Sequence, residues 1–325
     1  MSKPKVLVGF KPSDELRATI DDTLQPVAEL VYLSGVPAAE RNAAIAGSRA
    51  LLTWNPAKEL SDDERQASGI GLIQTMTAGI DHIRPGTVPA GALLAHNGGA
   101  FAAVMAEHVL AMALAAARSL FDRHTKLARG VFDQSLNRSL HGGTALIVGY
   151  GGIGREVARL CRAFGMTIHA INRSGRVDDG VARAGRPSDL MTMLPDADLV
   201  VLTFSLNAGT DKLFDARVLG AMKDAAILVN VARGEVIDED ALYAHLKAHP
   251  HFTACLDVWW MEPARQGAFS LKHPFFDLPN VLGSPHNSGM VPGAFARSTR
   301  IAAENIRRYL ETGRPERLAQ PGDFL

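Results

Sequence analysis

The sequence of 325 residues contains only two cysteines and carries no net charge. Cys161 and Cys255 lie far apart without C-x-x-C spacing, which disfavours a disulfide scaffold or a zinc ribbon and fits a reducing cytoplasm. Lysine plus arginine equals aspartate plus glutamate at 34 each, so the overall charge does not indicate nucleic acid or an anionic membrane as a partner. We expect a cytoplasmic protein with neither partner.

A long, uncharged apolar run is also missing. The longest candidate, AFAAVMAEHVLAMALAAA, is interrupted by Glu107 and His108 and is rich in alanine, which favours a packed helix over a membrane span. The N-terminal residues MSKPKVLVGFKPSDE have only a short apolar run before charges return, so they predict a first strand and no signal peptide.

Short runs rich in valine, isoleucine and leucine alternate along the chain with segments of helical period. One series is KVLVGF, AELVYL and RALLTW, and a second begins at TALIVG and continues through MTIHAIN, DLVVLTF, AAILVNV and FTACLDV. This alternation predicts parallel sheets covered by helices on both faces. Since 325 residues suit about two domains of roughly 150 residues, we predict an α/β protein with two doubly wound parallel-sheet domains.

The strongest local motif is TALIVGYGGIGREVARLCRAFG, a G-x-G-x-x-G pattern between an apolar strand and an amphipathic helix. In this context the first glycine permits a tight turn, the second admits a pyrophosphate, and the third lets helix and strand pack closely. The motif therefore predicts dinucleotide binding, with a methyltransferase as the main alternative. The residues concerned are Gly149, Gly151, Gly152, Ile153 and Gly154.

A carboxylate is missing where the next strand ends. An acid about 20 residues after the glycines usually holds the ribose 2′-hydroxyl of NAD, but here the strand MTIHAIN ends at Asn172. Neutral Asn172 would not repel the 2′-phosphate of NADP, Arg173 can pair with that phosphate, and Ser174 can donate a hydrogen bond to it. We predict NADP as the preferred cofactor, with NAD as the alternative if this segment is only a solvated turn.

Three later segments complete a pattern: NVARGEVID at 230–238, LDVWWMEP at 256–263 and NVLGSPHNSG at 280–289. Together with TAGIDHI at 77–83 and the helix VMAEHVLAMAL, their order and spacing resemble the D-isomer-specific 2-hydroxyacid dehydrogenase family, over most of the chain. The resemblance implies an oxidoreductase that transfers a hydride between NADPH or NADH and a small 2-keto or D-2-hydroxy acid, such as glyoxylate or hydroxypyruvate.

The resemblance also implies a catalytic set. Arg233 would hold the substrate carboxylate and carbonyl, and His286 would be the acid/base with Glu262 as its partner. Imidazole suits this chemistry because the alkoxide formed at C2 needs a proton donor that titrates near neutral pH. Arginine suits it because its planar fork stays charged and matches a carboxylate.

Further roles follow from the same resemblance. Backbone amides at Ala78 and Gly79 would bind the substrate carboxylate, and Asp257 would meet the nicotinamide carboxamide. Val231 would lie in the cofactor site. Trp54 would wall the substrate pocket, although a simple packed aromatic explains this residue equally well.

The domain arrangement is likewise implied by the family. Residues 1–97 and 290–325 would form a discontinuous, flavodoxin-like substrate domain, and residues 98–289 a Rossmann-type dinucleotide-binding domain, with the substrate in the cleft between them. The alanine-rich helix after Gly99 would pack against a second copy, so we expect a homodimer. No metal is expected, since His245, His249 and His251 lie around Pro250 at a helix end, as on a solvated surface.

Two alternatives remain open. Some proteins of this fold sense NAD(H) as non-catalytic binding modules or co-repressors, but the complete set of Arg233, Glu262 and His286 favours an enzyme. Within the family, a phosphoglycerate dehydrogenase-like enzyme is the other alternative. The loops at 53–57 and 290–295 offer no second cationic cluster for a phosphate, which favours smaller 2-keto acids.

Overall fold

Twelve strands in two separate sheets form the framework of the computed structural model, which describes residues 3–67, 69–178 and 180–325. All ladders between these strands are parallel. The chain divides into a first unit, Met1–Ala100 with Met290–Leu325, and a second unit, Phe101–Gly289. The first break thus falls after residue 100, where the sequence placed it after residue 97.

The first unit contains a five-stranded sheet in the order β2-β1-β3-β4-β5, the flavodoxin-like order. Its strands are β1 (Lys5–Val8), β2 (Glu29–Tyr32), β3 (Ser48–Thr53), β4 (Leu72–Thr75) and β5 (Leu93–Ala95). Its helices are α1 (Asp14–Leu24), α2 (Arg41–Ile45), α3 (Pro56–Glu59), α4 (Asp62–Ala67) and α12 (Ala294–Thr312). The last helix returns to pack on α1 and on β3 and β4, so the C-terminal segment completes this unit.

The second unit contains a seven-stranded sheet in the order β12-β11-β10-β9-β6-β7-β8. Its strands are β6 (Thr144–Val148), β7 (Thr167–Ile171), β8 (Arg183–Gly185), β9 (Leu199–Leu202), β10 (Ile227–Asn230), β11 (Thr253–Leu256) and β12 (Val281–Gly283). Counted from β6, this is the 3-2-1-4-5-6 order of a Rossmann sheet with one further strand. The predicted fold class, two doubly wound parallel-sheet domains, is confirmed.

Helices cover this second sheet. They are α5 (Ala102–Ala117), α6 (Leu120–Ala128), α7 (Gly152–Ala163), α8 (Leu190–Met193), α9 (Ala216–Leu219), α10 (Glu239–Ala248) and α11 (Pro263–Gln266). The central strands read TALIV, LVVL and ILVN and are almost entirely buried, as strands covered on both faces must be. The carboxyl ends of β6, β7, β10 and β11 are followed directly by the residues predicted to bind and react.

The alanine-rich helix α5 is mostly buried within its own unit, where it packs on α7, β10 and β11. Its small side chains allow this close packing on α7. The predicted contact of α5 with a second copy stays a prediction. Among the described residues no single helix is long and apolar enough to cross a membrane. One pair of these helices, α5 and α6, is long and apolar enough for a span by length and composition alone, but the pair is bent by 55°.

Candidate active site

Two glycines of the motif, Gly149 at the end of β6 and Gly154 in the first turn of α7, leave no room for a side chain. Gly149 has a φ of +102°, and a Cβ atom there would lie 2.5 Å from the backbone nitrogen of Phe204. A Cβ at Gly154 would lie 2.4 Å from the carbonyl oxygen of Gly149 and 3.0 Å from Ile147. The turn from β6 into α7 and the close packing of α7 on the sheet therefore both require glycine.

The middle glycine of the motif, Gly151, faces open space. Apart from its chain neighbours, no atom of the described residues lies within 4 Å of a Cβ placed there. Helix α7 begins at Gly152, and no described side chain caps its N-terminus. The amides of the first turn, which includes Ile153, are thus directed to where an anion can approach. This geometry fits the pyrophosphate of a dinucleotide.

The side chain of Asn172 closes the loop that follows β7. Its Oδ1 accepts hydrogen bonds from the backbone nitrogens of Ser174 at 3.0 Å and Gly175 at 2.7 Å, and its Nδ2 donates to the carbonyl oxygen of Arg176. Gly175 has a φ of +69°, as this tight turn requires. A bond from Asn172 to a ribose hydroxyl stays a prediction, and in the structure Asn172 organises the loop.

Cationic side chains surround this loop. Arg173, Ser174 and Arg176 are exposed on it. Arg186 joins them from outside the motif, since its Cγ lies 3.1 Å from the position of a Cβ on Gly175. Strand β8 pairs with β7 and ends directly before Arg186, which explains this placement. The loop thus has the charged and hydroxyl donors that a phosphate monoester needs.

Arg233 follows β10 in a turn that its neighbours hold. The buried Asn230 side chain accepts from the nitrogen of Ala232 at 3.0 Å and donates to the carbonyl oxygen of Arg233 at 2.8 Å. A Cβ on Gly234 would lie 2.2 Å from the carbonyl carbon of Trp259, so glycine lets the turn pack against the segment after β11. The pattern N-x-x-R-G therefore fixes the backbone that carries the Arg233 guanidinium.

Glu262 and His286 form a hydrogen-bonded pair, with 2.7 Å between Glu262 Oε2 and His286 Nδ1. The other Glu262 oxygen accepts the backbone N–H of Trp259 at 2.8 Å. Burial raises the pKa of Glu262, but the hydrogen bond and charge of His286 outweigh it, helped by Trp259 and by the charge of Arg233, so the pKa lies below its usual value. Glu262 is thus a buried carboxylate that remains ionised.

The other ring nitrogen of His286 has no hydrogen-bond partner among the residues that the structure describes. The side chain is 43% exposed, whereas that of Glu262 is 8% exposed. A carboxylate on Nδ1 fixes the tautomer and orientation of an imidazole and leaves Nε2 to exchange a proton with a ligand. The pair can therefore act as a general acid or base.

The backbone of His286 has a φ of +51°, in the left-handed region that costs a residue with a Cβ about 1–2 kcal/mol. Asp257 stabilises this conformation, because its buried carboxylate accepts the backbone nitrogens of Asn287 at 3.0 Å and Ser288 at 3.2 Å. It also accepts the hydroxyl of Ser284 at 2.6 Å. The nicotinamide contact predicted for Asp257 would share these oxygens, and it stays a prediction.

In the first unit, the segment after β4 carries Ala78 and Gly79. The Thr77 hydroxyl donates to the carbonyl oxygen of Gly79 at 2.8 Å, and the nitrogen of Asn97 donates to the carbonyl oxygen of Thr77 at 2.8 Å. Within the described part of the chain, the N–H groups of Ala78 and Gly79 have no acceptor. Two adjacent amides without acceptors are suited to bind a carboxylate.

Trp54 follows β3 and is half-buried between Phe10 and Phe295, with ring centroids 5.9 and 6.4 Å away. Glu59 accepts the backbone N–H of Trp54 at 2.9 Å, and His82 Nε2 lies 2.9 Å from the Trp54 carbonyl oxygen. The loop is therefore held from both sides. Both interpretations of Trp54, as a packed aromatic and as a pocket wall, are compatible with this position.

The structure brings some of the predicted residues together. Arg233, Glu262 and His286 lie in the second unit, with Arg233 close enough to lower the pKa of Glu262. Val231 is 4% exposed, and its nitrogen donates to the carbonyl oxygen of Leu202 at the carboxyl end of β9. Trp54, Ala78 and Gly79 belong to the first unit.

Sequence reasoning missed four residues that touch these groups: Glu59, His108, Arg186 and Ser284. For His108 the signal was present, because it is an ionisable residue within an apolar segment. Glu59 lies in the polar segment PAKELSDDE, which gives no such signal. Arg186 and Ser284 follow the short strands β8 and β12, which no apolar run announces. Among the described residues no three histidine, cysteine, aspartate or glutamate side chains form a group that could hold a metal.

A family model matches the chain over residues 110–288, that of the NAD binding domain of D-isomer specific 2-hydroxyacid dehydrogenases. The match includes the glycine motif, the loop at 172–176 and all of Arg233, Glu262 and His286. It is the family that the order of motifs predicted.

Two curated proteins illustrate the similarity over the whole chain. D-3-phosphoglycerate dehydrogenase of Methanocaldococcus jannaschii is 29% identical over 310 residues, which cover 94% of this chain and 58% of that protein. Glyoxylate/hydroxypyruvate reductase B of Pectobacterium atrosepticum is 30% identical over 291 residues, which cover 87% of this chain and 88% of that protein. The chain thus spans less than two thirds of the phosphoglycerate dehydrogenase but most of the reductase.

Among solved structures, the D-isomer specific 2-hydroxyacid dehydrogenase from Xanthobacter autotrophicus Py2, in complex with NADPH and MES, has a TM-score of 0.81 to this chain. It is 22% identical, and the match covers 99% of both chains. At this identity the likeness concerns the fold.

Proposed function

We propose, since the chain belongs to the D-isomer specific 2-hydroxyacid dehydrogenase family, that it reduces a small 2-keto acid such as glyoxylate or hydroxypyruvate to the D-2-hydroxy acid with NADPH. The family predicted from the sequence, and with it the class of NAD(P)-dependent dehydrogenases, is confirmed. The activity, the substrate, the direction and the preferred cofactor are proposals.

The observation that carries the proposal is the pair of Glu262 and His286 close to Arg233. Reduction of a 2-keto acid places negative charge on the carbonyl oxygen, which must receive a proton. Nε2 of His286 would supply that proton, and the ionised Glu262 on Nδ1 would stabilise the imidazolium that exists before the transfer. In the reverse direction the same nitrogen would accept the proton from the hydroxyl group.

The substrate carboxylate needs its own partners. The guanidinium of Arg233 is a planar donor that stays charged and can bind a carboxylate through two parallel hydrogen bonds. The amides of Ala78 and Gly79, which lack acceptors among the described residues, would supply further donors. Arg233 would orient the keto acid and polarise its carbonyl oxygen before the proton arrives.

The dinucleotide fits the second unit because Gly151 leaves space beside the uncapped N-terminus of α7. A bound nicotinamide supplies or accepts the hydride. Gly152 and Ile153 would contact the pyrophosphate, and Val231 would line the site beside the end of β9.

The loop at 172–176 supports a preference for NADPH. It carries Arg173, Ser174 and Arg176 around a neutral Asn172, and Arg186 lies beside it. Of the two acids that follow, Asp178 pairs with Arg155, so its charge is compensated, and Asp179 lies outside the described residues. A 2′-phosphate would therefore meet cations on the described part of this loop. NAD is the alternative.

A small 2-keto acid is favoured over a phosphorylated substrate by the loop after β3. Trp54 packs there between two phenylalanines, and no lysine or arginine occurs at 53–57 or 290–295. Glyoxylate/hydroxypyruvate reductase B of Pectobacterium atrosepticum, at 30% identity, is a relative that acts on such acids by its name.

The decisive test is a panel of 2-keto acids assayed at 340 nm with NADPH and NADH, on the wild type and on His286→Ala. We expect turnover of glyoxylate or hydroxypyruvate by the wild type and a loss of about 10²- to 10⁴-fold in kcat in the variant, because general acid–base catalysis is removed. The Kd for NADPH, followed by nicotinamide fluorescence, should stay unchanged. Near-normal turnover by His286→Ala would exclude the assignment, and tight NADPH binding without turnover of any acid would favour a sensor.

We also propose that the protein is a homodimer. Six exposed apolar side chains cluster between α5 and β6 in the second unit: Leu120, Phe121, Leu127, Val131, Phe132 and Leu136. A second copy would cover this surface in addition to the contact predicted for α5. The cytoplasm remains the predicted compartment, and both cysteines are free and buried, with burial raising their pKa values to about 12.

A further inference from the structure

His108 lies on α5, far in sequence from the predicted catalytic residues, yet its side chain reaches the segment that carries His286. Its Nε2 is 2.9 Å from the hydroxyl oxygen of Ser284 and 3.5 Å from Oδ1 of Asp257. Nothing in the proposed reaction uses His108 directly. A half-buried histidine beside a fully buried carboxylate therefore calls for a physical explanation.

The hydrogen bonds have a defined direction. The Ser284 hydroxyl lies 2.6 Å from Asp257 Oδ1 and must donate its only hydrogen to the ionised carboxylate. The Ser284 oxygen can then only accept, so Nε2 of His108 is the donor at 2.9 Å. The result is a continuous relay from His108 through Ser284 to Asp257.

Asp257 in turn fixes the backbone on the far side of His286. Its two oxygens accept the N–H groups of Asn287 and Ser288. Burial raises the pKa of Asp257, but the hydrogen bonds from Ser284 and Ser288 and the neighbouring His108 outweigh it, so the pKa lies below its usual value and the carboxylate stays charged.

The segment 284–288 is therefore anchored both before and after His286. Ser284 is held through its hydroxyl by His108 and Asp257, and through its carbonyl oxygen by the indole N–H of Trp259 at 2.9 Å. Between these anchors His286 keeps a φ of +51°, a conformation that persists only where its surroundings enforce it. A small shift of this backbone would displace the ring of His286 directly.

We propose that His108 and Ser284 are positioning residues that hold the His286 ring in its reactive orientation by way of Asp257. As far as it concerns catalysis, this inference rests on the proposed function, since it assigns His286 as the acid/base. Neither residue touches the substrate or the cofactor in this assignment. They act on the backbone from which the imidazole projects.

The test compares three variants in helix α5. His108→Leu removes the donor to Ser284, and His108→Gln places an amide N–H near the same position. Glu107→Gln changes the exposed neighbour on the same helix and serves as the control. We expect kcat for the preferred 2-keto acid to fall roughly tenfold in His108→Leu, as for loss of one hydrogen bond in a charged network. His108→Gln should recover much of this loss, and the control should match the wild type.

The Kd for NADPH should change less than twofold in all three variants, which separates a positioning role from general damage to the domain. A second readout does not depend on turnover: the proton resonance of His286 Nδ1–H, identified by its loss in His286→Ala. We expect this resonance to shift or broaden in His108→Leu and to return in His108→Gln.

An unchanged resonance in His108→Leu would overturn the proposal, whatever the activity. The same holds for an equal loss of kcat in His108→Leu and His108→Gln with parallel losses in thermal stability, since that pattern indicates a purely structural role. If the wild type turned over no 2-keto acid, the proposed function would fail, and the resonance would still decide whether His108 positions His286.

Discussion

Glu262 and Asp257 are buried carboxylates that hydrogen bonds keep ionised, and they act on His286 in different ways. Glu262 bonds the ring, whereas Asp257 bonds the backbone that follows it. A buried charge is tolerated when its partners compensate for the lost hydration. At the scale of single residues, the orientation of His286 therefore depends on two charges that no substrate needs to touch.

The charge of Glu262 makes stability depend on pH. Its pKa in the folded protein lies below the usual value of 4.5, so the ionised carboxylate stabilises the fold above that value, and the stabilisation is lost as the pH falls through the lower, folded-state pKa. We expect the free energy of unfolding of Glu262→Gln, measured in urea, to decline less steeply than that of the wild type below about pH 5. Parallel curves for the two proteins would contradict this assignment.

The turn that carries Arg233 depends on Gly234. A Cβ at this position would lie 2.2 Å from the carbonyl carbon of Trp259 and 2.5 Å from the nitrogen of Trp260, and both atoms belong to the backbone. We expect Gly234→Ala to lower the free energy of unfolding by about 1–3 kcal/mol and to raise the KM for the keto acid, because Arg233 must move.

Gly86→Ala is the matched control for this substitution, since apart from its chain neighbours no described residue has an atom within 4 Å of a Cβ there. Thermal unfolding and steady-state kinetics of both variants distinguish a local clash from a general effect of alanine. Equal melting temperatures for Gly234→Ala and Gly86→Ala would show that the turn tolerates a side chain.

At the scale of elements, the loop between β7 and β8 shows how a missing acid changes the structure of a turn. Asn172 accepts the N–H groups of Ser174 and Gly175, as an aspartate could, but it also donates to the carbonyl oxygen of Arg176. The amide thus closes the loop without adding negative charge. Arg173 is exposed on this closed loop.

We expect the ratio of kcat/KM for NADPH to that for NADH to fall about ten- to a hundredfold in Arg173→Ala, since one charge-assisted contact is worth about 1.5–3 kcal/mol. Arg183→Ala is the control, because the Arg183 guanidinium bonds Thr192 and Asp196 instead. If the wild type prefers NADH, or if the ratio is unchanged in Arg173→Ala, the proposed preference for NADPH is wrong, and NAD is the cofactor that this loop accepts.

The sequence predicted most of the elements that carry this site. The strands β6, β7, β9, β10 and β11 read as apolar runs because both faces of a parallel sheet are buried. Strand β8 reads RAG and could not be predicted, since pairing with β7 rather than its own side chains makes it a strand. The position of Arg186, which directly follows β8, could not be predicted for the same reason.

The sequence indicated the residues of the candidate site but not the contacts that hold them in position. The motifs indicated Glu262 and His286, and the structure pairs them. The positive φ of His286 and its link to His108 depend on contacts between α5 and the segment after β12, which are distant in sequence. Local patterns do not encode such contacts, so reasoning from the sequence could not find them.

At the scale of the whole molecule, exposed apolar side chains concentrate in one stretch of the second unit, residues 120–136. Arg123 bonds the carbonyl oxygens of Asp133 and Ser135, and Lys126 pairs with Asp122 and Asp133. These side chains therefore pair within the stretch, although Nε of Arg123 is buried without a hydrogen-bond partner among the described residues. Phe132 and Leu136 are left 76% and 99% exposed, which is costly for a monomer in water.

We therefore expect this stretch to bury its apolar side chains against a second copy, so that light scattering at micromolar concentration gives about twice the chain mass of 34.8 kDa. The double variant Phe132→Asp, Leu136→Asp should be monomeric, because two carboxylates would be buried without partners in the interface. Leu325→Asp, at another exposed leucine, should leave the mass unchanged. A wild type that scatters as a single chain would show that these side chains face solvent, and the proposal of a homodimer would be wrong.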